Sequence, residues 1–229
     1  MPNMGYRETS AGRPGIACLW SRTLDVPVEH RVVPDGCADV IWHRESGRLF
    51  VAGPDTTAQV GIGEPGTLIG LRFLPGAAAV GVPADAIRDG RVDLADFRAD
   101  AGELADRLAH SPDPHRLLLD AFPVRPDPTV AAIRGLACRT GKVRDIADTI
   151  GLSERQLLRR SAAAFGYGPK VLHRVLRFDR ALNAVRAGRP AGAVAYECGF
   201  ADQAHLAREV KALAGTTLTE LLGRGRAAS

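Results

Sequence analysis

Two short polar runs in the back half of the chain carry side chains suited to reading base edges. The first holds Glu154, Arg155, Gln156 and Arg159; the second holds Asp202, Gln203, His205 and Arg208. A guanidinium matches guanine O6 and N7, and a primary amide matches adenine N6 and N7. Each such two-pronged contact contributes about 1–3 kcal/mol of discrimination. The base-contact candidates are therefore Glu154, Arg155, Gln156, Arg159, Gln203, His205 and Arg208. Ser153, Arg160, Lys170, Asp202 and Lys211 suit phosphate contacts, which position a protein on DNA without specifying sequence. Alternatives stand beside three of these. Asp202 can cap its own helix by accepting from free N–H groups. Arg208 can pair with a neighbouring acid, and His205 can pack against the preceding helix.

Both runs sit in an internal repeat. Ile146–Glu154 matches Val194–Asp202 at an offset of 48, and Leu158 and Arg160 match Leu206 and Arg208 at the same offset. Each copy reads as a helix-turn-helix. A small residue (Ala147, Ala195) lets two helices approach, a glycine (Gly151, Gly199) turns the chain, and an apolar residue (Leu152, Phe200) plugs the corner. A polar, basic helix follows, of the kind that enters a major groove. Ser153 with Gln156 three residues later spells a capping box, and Pro169 suits the first turn of a long helix. The pattern predicts helices over 129–139, 143–150, 154–165, 169–187, 190–198, 203–213 and 217–222. The helix over 169–187 would then separate the two recognition helices by roughly 10 base pairs of duplex.

Charge agrees with a polyanion at this end. The 229 residues carry a net +4, but residues 1–128 sum to −5 and residues 129–229 to +9. A basic segment joined to an acidic one is a footprint of nucleic-acid binding. Apolar residues at 45% and charged residues at 24% fit a globular, soluble chain. The start of the chain lacks a signal-peptide core, and no apolar run reaches bilayer length, so a cytoplasmic location and no membrane are expected. Cys18, Cys37, Cys138 and Cys198 form no CxxC pair, and neither a metal nor a cofactor is expected.

The front half reads differently. Ile16–Trp20, Val26–Val33, Ala38–His43, Leu49–Ala52, Thr57–Ile62 and Thr67–Leu74 are strand-like runs between Gly, Pro and Asp turns. They predict a small antiparallel barrel or sandwich. Leucine periodicity then predicts helices near 100–110 and 113–121. Prolines 123, 126 and 128 mark a linker. The fold class expected is α+β, with a β-rich regulatory domain over 1–122, a linker over 123–128, and a DNA-binding domain over 129–229. Its two units would span 143–165 and 191–213. An effector pocket is placed at Asp35, Cys37, Asp39, Trp42 and Arg72.

The repeat resembles the AraC/XylS family of bacterial transcription regulators over roughly 129–222. The most specific stretch is Gly199–Lys211, followed by Gly215-Thr216-Thr217. Leu206 and Val210 stand where that family usually has Phe, and Leu218 where it usually has Pro. Pro34–Trp42, Gly53-Pro54 and Leu71–Ala77 are similar to a domain found ahead of such units. The resemblance implies a non-enzymatic, sequence-specific regulator whose two units read successive major grooves. Its partners would be double-stranded promoter or operator DNA, RNA polymerase, a small-molecule effector and a second copy of the chain.

Rival readings stay open at this point. Gly61-x-Gly63-x-x-Gly66 imitates a dinucleotide loop, but a strand-like run follows where a helix is required, so a hairpin turn is expected. Asp35, Cys37, Asp39 and His43 alternate as a catalytic, metal or thiol-sensor cluster would. A packaging protein that binds DNA through salt-dependent contacts only is the third alternative.

Overall fold

The computed structural model describes residues 5–226; residues 1–4 and 227–229, which fall within the expected domain spans, lie outside the described residues. Eight strands come first: β1 (Arg7–Thr9), β2 (Ile16–Leu24), β3 (Val28–Val32), β4 (Ala38–His43), β5 (Leu49–Ala52), β6 (Gln59–Gly63), β7 (Gly66–Phe73) and β8 (Arg91–Asp93). The helices follow: α1 (Ala101–His110), α2 (Pro114–Ala121), α3 (Pro128–Ala137), α4 (Val143–Ile150), α5 (Glu154–Phe165), α6 (Pro169–Arg186), α7 (Ala191–Glu197), α8 (Gln203–Ala214) and α9 (Leu218–Arg226). The class is α+β, β-rich in front and helical behind. Among the described residues no helix is long and apolar enough to cross a membrane.

The main sheet is antiparallel, in the order β1-β2-β7-β4-β5-β8, and β3 pairs with β6 in a separate ribbon. One face carries Leu19, Val40, Trp42, Val51, Ile69 and Leu71, which pack with leucines of α1 and α2. Alternation along the strands sends Cys18, Trp20, Ile41 and Phe50 into a second packed cluster. The tryptophan of β2 needs room there. It crosses β7 at Gly70, where an added Cβ would lie 2.1 Å from the Trp20 ring.

Three details depart from the sequence reading. The short strands β1 and β8 were not predicted; each is three residues of edge strand with no apolar alternation. The turn Glu64-Pro65 is not a hairpin. It carries the chain from the ribbon strand β6 to the sheet strand β7, which pair with different neighbours. Gly66 makes this corner with φ +134°, and a Cβ there would sit 2.3 Å from His43 Nε2.

The helical half contains two cores threaded by α6. Ile133, Ile146, Ala147, Leu157, Phe165, Leu172 and Val175 form the first. Phe178, Leu182, Val194, Ala195, Phe200, Leu206, Val210 and Leu213 form the second. Ala147 and Ala195 are both fully buried, as a close helix crossing requires. The repeat recurs in the backbone: Leu152 N donates to Ala147 O at 3.0 Å, and Phe200 N donates to Ala195 O at 2.8 Å. These are the six-to-one bonds that close a helix ending in a left-handed glycine. Leu206 and Val210 are both buried in the second core. Leu218 does not disturb α9, because Thr217 and Glu220 exchange bonds across its first turn and Leu221 is buried.

Candidate nucleic-acid interface and interdomain cleft

Helices α5 and α8 each start from a side-chain cap. Ser153 accepts from Gln156 N at 3.3 Å, and Gln156 Oε1 accepts in return from Ser153 N at 2.9 Å. Asp202 accepts from His205 N at 2.6 Å. Arg155, Arg159 and Arg160 on α5, and Gln203, Arg208 and Lys211 on α8, are exposed, as are Glu154 and Lys170. An acid beside Arg208 is already engaged. Glu209 accepts from Arg174 of α6 at 2.6 Å and lies 3.8 Å from Arg177, so Arg208 is left facing outward.

Several candidates serve the helices themselves. Ser153 and Gln156 close a capping box, so the Gln156 amide oxygen is occupied before any base is met. Asp202 is an N-cap, and its carboxylate would repel a phosphate; its assignment as a phosphate contact is corrected on that ground. His205 stands edge-on to Phe200 with ring centroids 5.4 Å apart. Its Nδ1 accepts from Ala201 N at 3.2 Å, which leaves Nε2 as the outward donor. Arg177 stacks over the Phe200 ring, 4.2 Å from its centroid. The second turn is thus locked to the long helix, a contact that no spacing rule in the sequence announces.

A second feature lies where the sheet meets α3 and α6. A cleft of about 640 Å³ is bordered by Asp35, Cys37 and Arg72 on one wall and Arg134, Asp179 and Arg186 on the other. Strand register places Asp39 of β4 directly opposite Arg72 of β7. Arg72 Nε donates to Asp39 Oδ1 at 3.0 Å, and Trp20 Nε1 donates to the same oxygen at 2.8 Å. Asp39 therefore sits behind Arg72 as its anchor, outside the cleft lining. Asp35 lies further out, 3.8 Å from the same guanidinium. Trp42 is corrected: it is 1% exposed in the sheet–helix core, because alternation on β4 turns it away from Asp39.

The charge balance of the cleft is uneven. Asp179 accepts from Asn183 at 3.0 Å; burial, and then the Asp35 carboxylate across the boundary, push its carboxyl up to about 6. Burial raises the Cys18 thiol to about 11 and lifts Cys37 well above its usual range, with nearby carboxylates adding to both. Both shifts favour the neutral thiol over the thiolate. The back wall was missed in the sequence. Its one faint signal is Asp179, an acid inside the basic α6.

Residues 146–224 match the family described as "Helix-turn-helix domain". Residues 13–93 match a "Domain of unknown function (DUF6597)". No curated protein matches the chain. Among solved structures, apo ToxT K231A from Vibrio cholerae is similar at a TM-score of 0.48 and 11% identity, over 92% of this chain and 98% of that one. Wild-type ToxT from the same organism, solved with an unsaturated fatty acid bound, is similar at 0.46 and 10%, over 89% and 93%. The repeat and the helix-turn-helix family match coincide, so the chain carries a helix-turn-helix domain. It is a DNA-binding transcription regulator with a β-rich N-terminal region.

Proposed function

We propose that α5 and α8 enter successive major grooves of one operator. Arg155 and Arg159 would read bases from the first unit, and Gln203 and Arg208 from the second. Arg160, Lys170 and Lys211 would hold phosphates. The observation that carries this reading is the pair of equivalent helices, one exposing Arg155 and Arg159 and the other Gln203 and Arg208, mounted on the single helix α6. That helix is 18 residues long, or about 27 Å. Residues 1–122 would act as the regulatory unit and 129–229 as the reader, joined through 123–128. Contact with RNA polymerase and pairing of two copies belong to the same reading, as does a location in the cytoplasm.

The effector site in this proposal is the cleft between the sheet and α6. Its volume lies within the range of small-molecule pockets. Charged side chains on both walls suit a polar ligand, and binding would change how the two halves meet. Chemistry at Asp39 is disfavoured, because its carboxylate is committed to Arg72 and Trp20.

The test is fluorescence anisotropy of the full chain on the DNA upstream of its own gene, with salt titration and random competitor. Binding that survives competitor by ~10³-fold or more supports a sequence-specific regulator. If that DNA fails, selection from a random-sequence pool decides. Recovery of no common sequence would leave only an electrostatic binder.

A further inference from the structure

Both recognition helices end on the β-rich region, and they do so at equivalent positions of the repeat. Each closes on a left-handed glycine, Gly166 with φ +80° and Gly215 with φ +67°. Carbonyls at such ends have no partner within the helix, and the helix dipole makes them favourable for a cation. In this protein the sheet region supplies the donors. Arg88 Nη1 donates to Gly166 O at 3.0 Å. Arg31 Nη1 donates to Ala214 O at 2.6 Å, and Ala58 N donates to Leu213 O at 2.7 Å.

One short loop touches both ends. Pro54 abuts Gly166 so closely that an added Cβ would lie 2.8 Å from its Cγ. Ala58 follows four residues later, which keeps the two contact points within about 15 Å of one another. The loop is itself anchored. Gly53 N donates to Gly90 O at 3.0 Å, and Asp89 N donates to Pro54 O at 3.2 Å. Arg31 stands on β3, paired opposite Val60 of β6. The last turns of α5 and α8 are therefore tied through one braced patch, independently of α6.

We propose that Arg31, Arg88 and the Pro54–Ala58 loop form a clasp that sets the separation of the two recognition helices, and so the half-site spacing that the protein accepts. This rests on the two-groove reading above. Without the clasp the two units are joined through α6 alone, and each packs on a different stretch of it. Long helices bend, and that bending would let the units follow half-sites at more than one spacing. The clasp residues touch no DNA in this reading; they are positioning residues for specificity.

The experiment uses operators selected by the full-length wild-type protein, resynthesised with one base pair removed or added between half-sites. Wild type, Arg31→Ala, Arg88→Ala and the double variant are compared by anisotropy on each duplex and on a single half-site. Wild type is expected to favour its own spacing by about 10-fold or more, a common size for coupling between sites. The double variant is expected to narrow that ratio to about 3-fold or less, with half-site affinity unchanged. A merely structural loss would lower all affinities together and leave the ratio alone. Arg31→Lys and Arg88→Lys keep the charge but lose the guanidinium fork. Should the alanine variants fold poorly, the lysine pair carries the test with a smaller narrowing. An unchanged ratio in variants that fold overturns the clasp while leaving the two-groove reading intact. A wild type with no spacing preference overturns both.

Discussion

Alanine at Gly151 and at Gly166 is one chemical change in two surroundings. Both glycines terminate a helix in the left-handed region, with φ of +69° and +80°. Forcing an L side chain into that region costs roughly 1–2 kcal/mol at either site. At Gly151 nothing lies within 4 Å of the new Cβ, so the backbone cost is the whole effect. At Gly166 the Cβ would stand 2.8 Å from Pro54 Cγ and 3.2 Å from the Ala84 carbonyl oxygen, and the second is backbone. Overpacking of that kind adds about 1–3 kcal/mol, for a total of roughly 2–5 kcal/mol. For a chain of this length each kcal/mol moves the melting temperature by about 2–4 °C. Gly151→Ala should therefore melt a few degrees below wild type, and Gly166→Ala clearly lower still. Gly215→Ala should fall between them, because its Cβ meets only the tip of Arg31 at 3.1 Å. Thermal melting followed by circular dichroism measures all three. If Gly166→Ala melts no lower than Gly151→Ala, the tight seating of α5 against the sheet region is refuted.

Further expectations can be checked with standard assays. Lys211→Ala should weaken all DNA alike and lower the salt slope by about one, whereas Arg155→Ala should relax base preference at one position; a uniform loss from both would refute that division. Asp39→Ala removes the direct anchor of Arg72 and the acceptor of Trp20, leaving only the longer contacts to Asp35 and Glu8 at 3.8 and 3.9 Å. The expected cost is about 3 kcal/mol in urea unfolding, the low end for breaking a buried pair, since the Arg72 side chain is 24% exposed. Asp55 is pushed up to about 7 by burial and then by the Asp89 carboxylate. Its folded form keeps a proton that the unfolded chain has released above about pH 4. Its contribution to stability should therefore decline as pH rises from about 4 to about 7. Asp55→Asn should flatten that decline, as read from melting temperature against pH; an unaltered profile would refute the assignment. A polar ligand of the cleft should raise the melting temperature of the full chain by mass action, and Asp179→Asn should change that rise if Asp179 faces the ligand.

Comparison of the two halves shows where sequence reading works. The helical half was legible almost residue by residue. Gly151, Ser153 with Gln156, and Pro169 act within a few residues of themselves, so helix ends at 150, 154 and 169 could be placed from type and spacing. The six longer strands were visible through alternation and turn residues. The edge strands β1 and β8 were not, because a three-residue edge strand needs a neighbour more than it needs a pattern.

What the amino-acid sequence determined by itself is whatever local chemistry controls. That covers the doubled helix-turn-helix, the caps and the charge asymmetry. Tertiary structure alone decided which groups meet across long separations. It set Trp42 in the core and Asp39 behind Arg72, it brought Asp179 opposite Asp35, and it hung the ends of α5 and α8 on Arg88 and Arg31. Those pairings join residues up to 183 positions apart. No periodicity reaches that far; they arise because two folded surfaces leave helix-end carbonyls and sheet-side guanidinium groups facing one another, and buried polar groups must find partners.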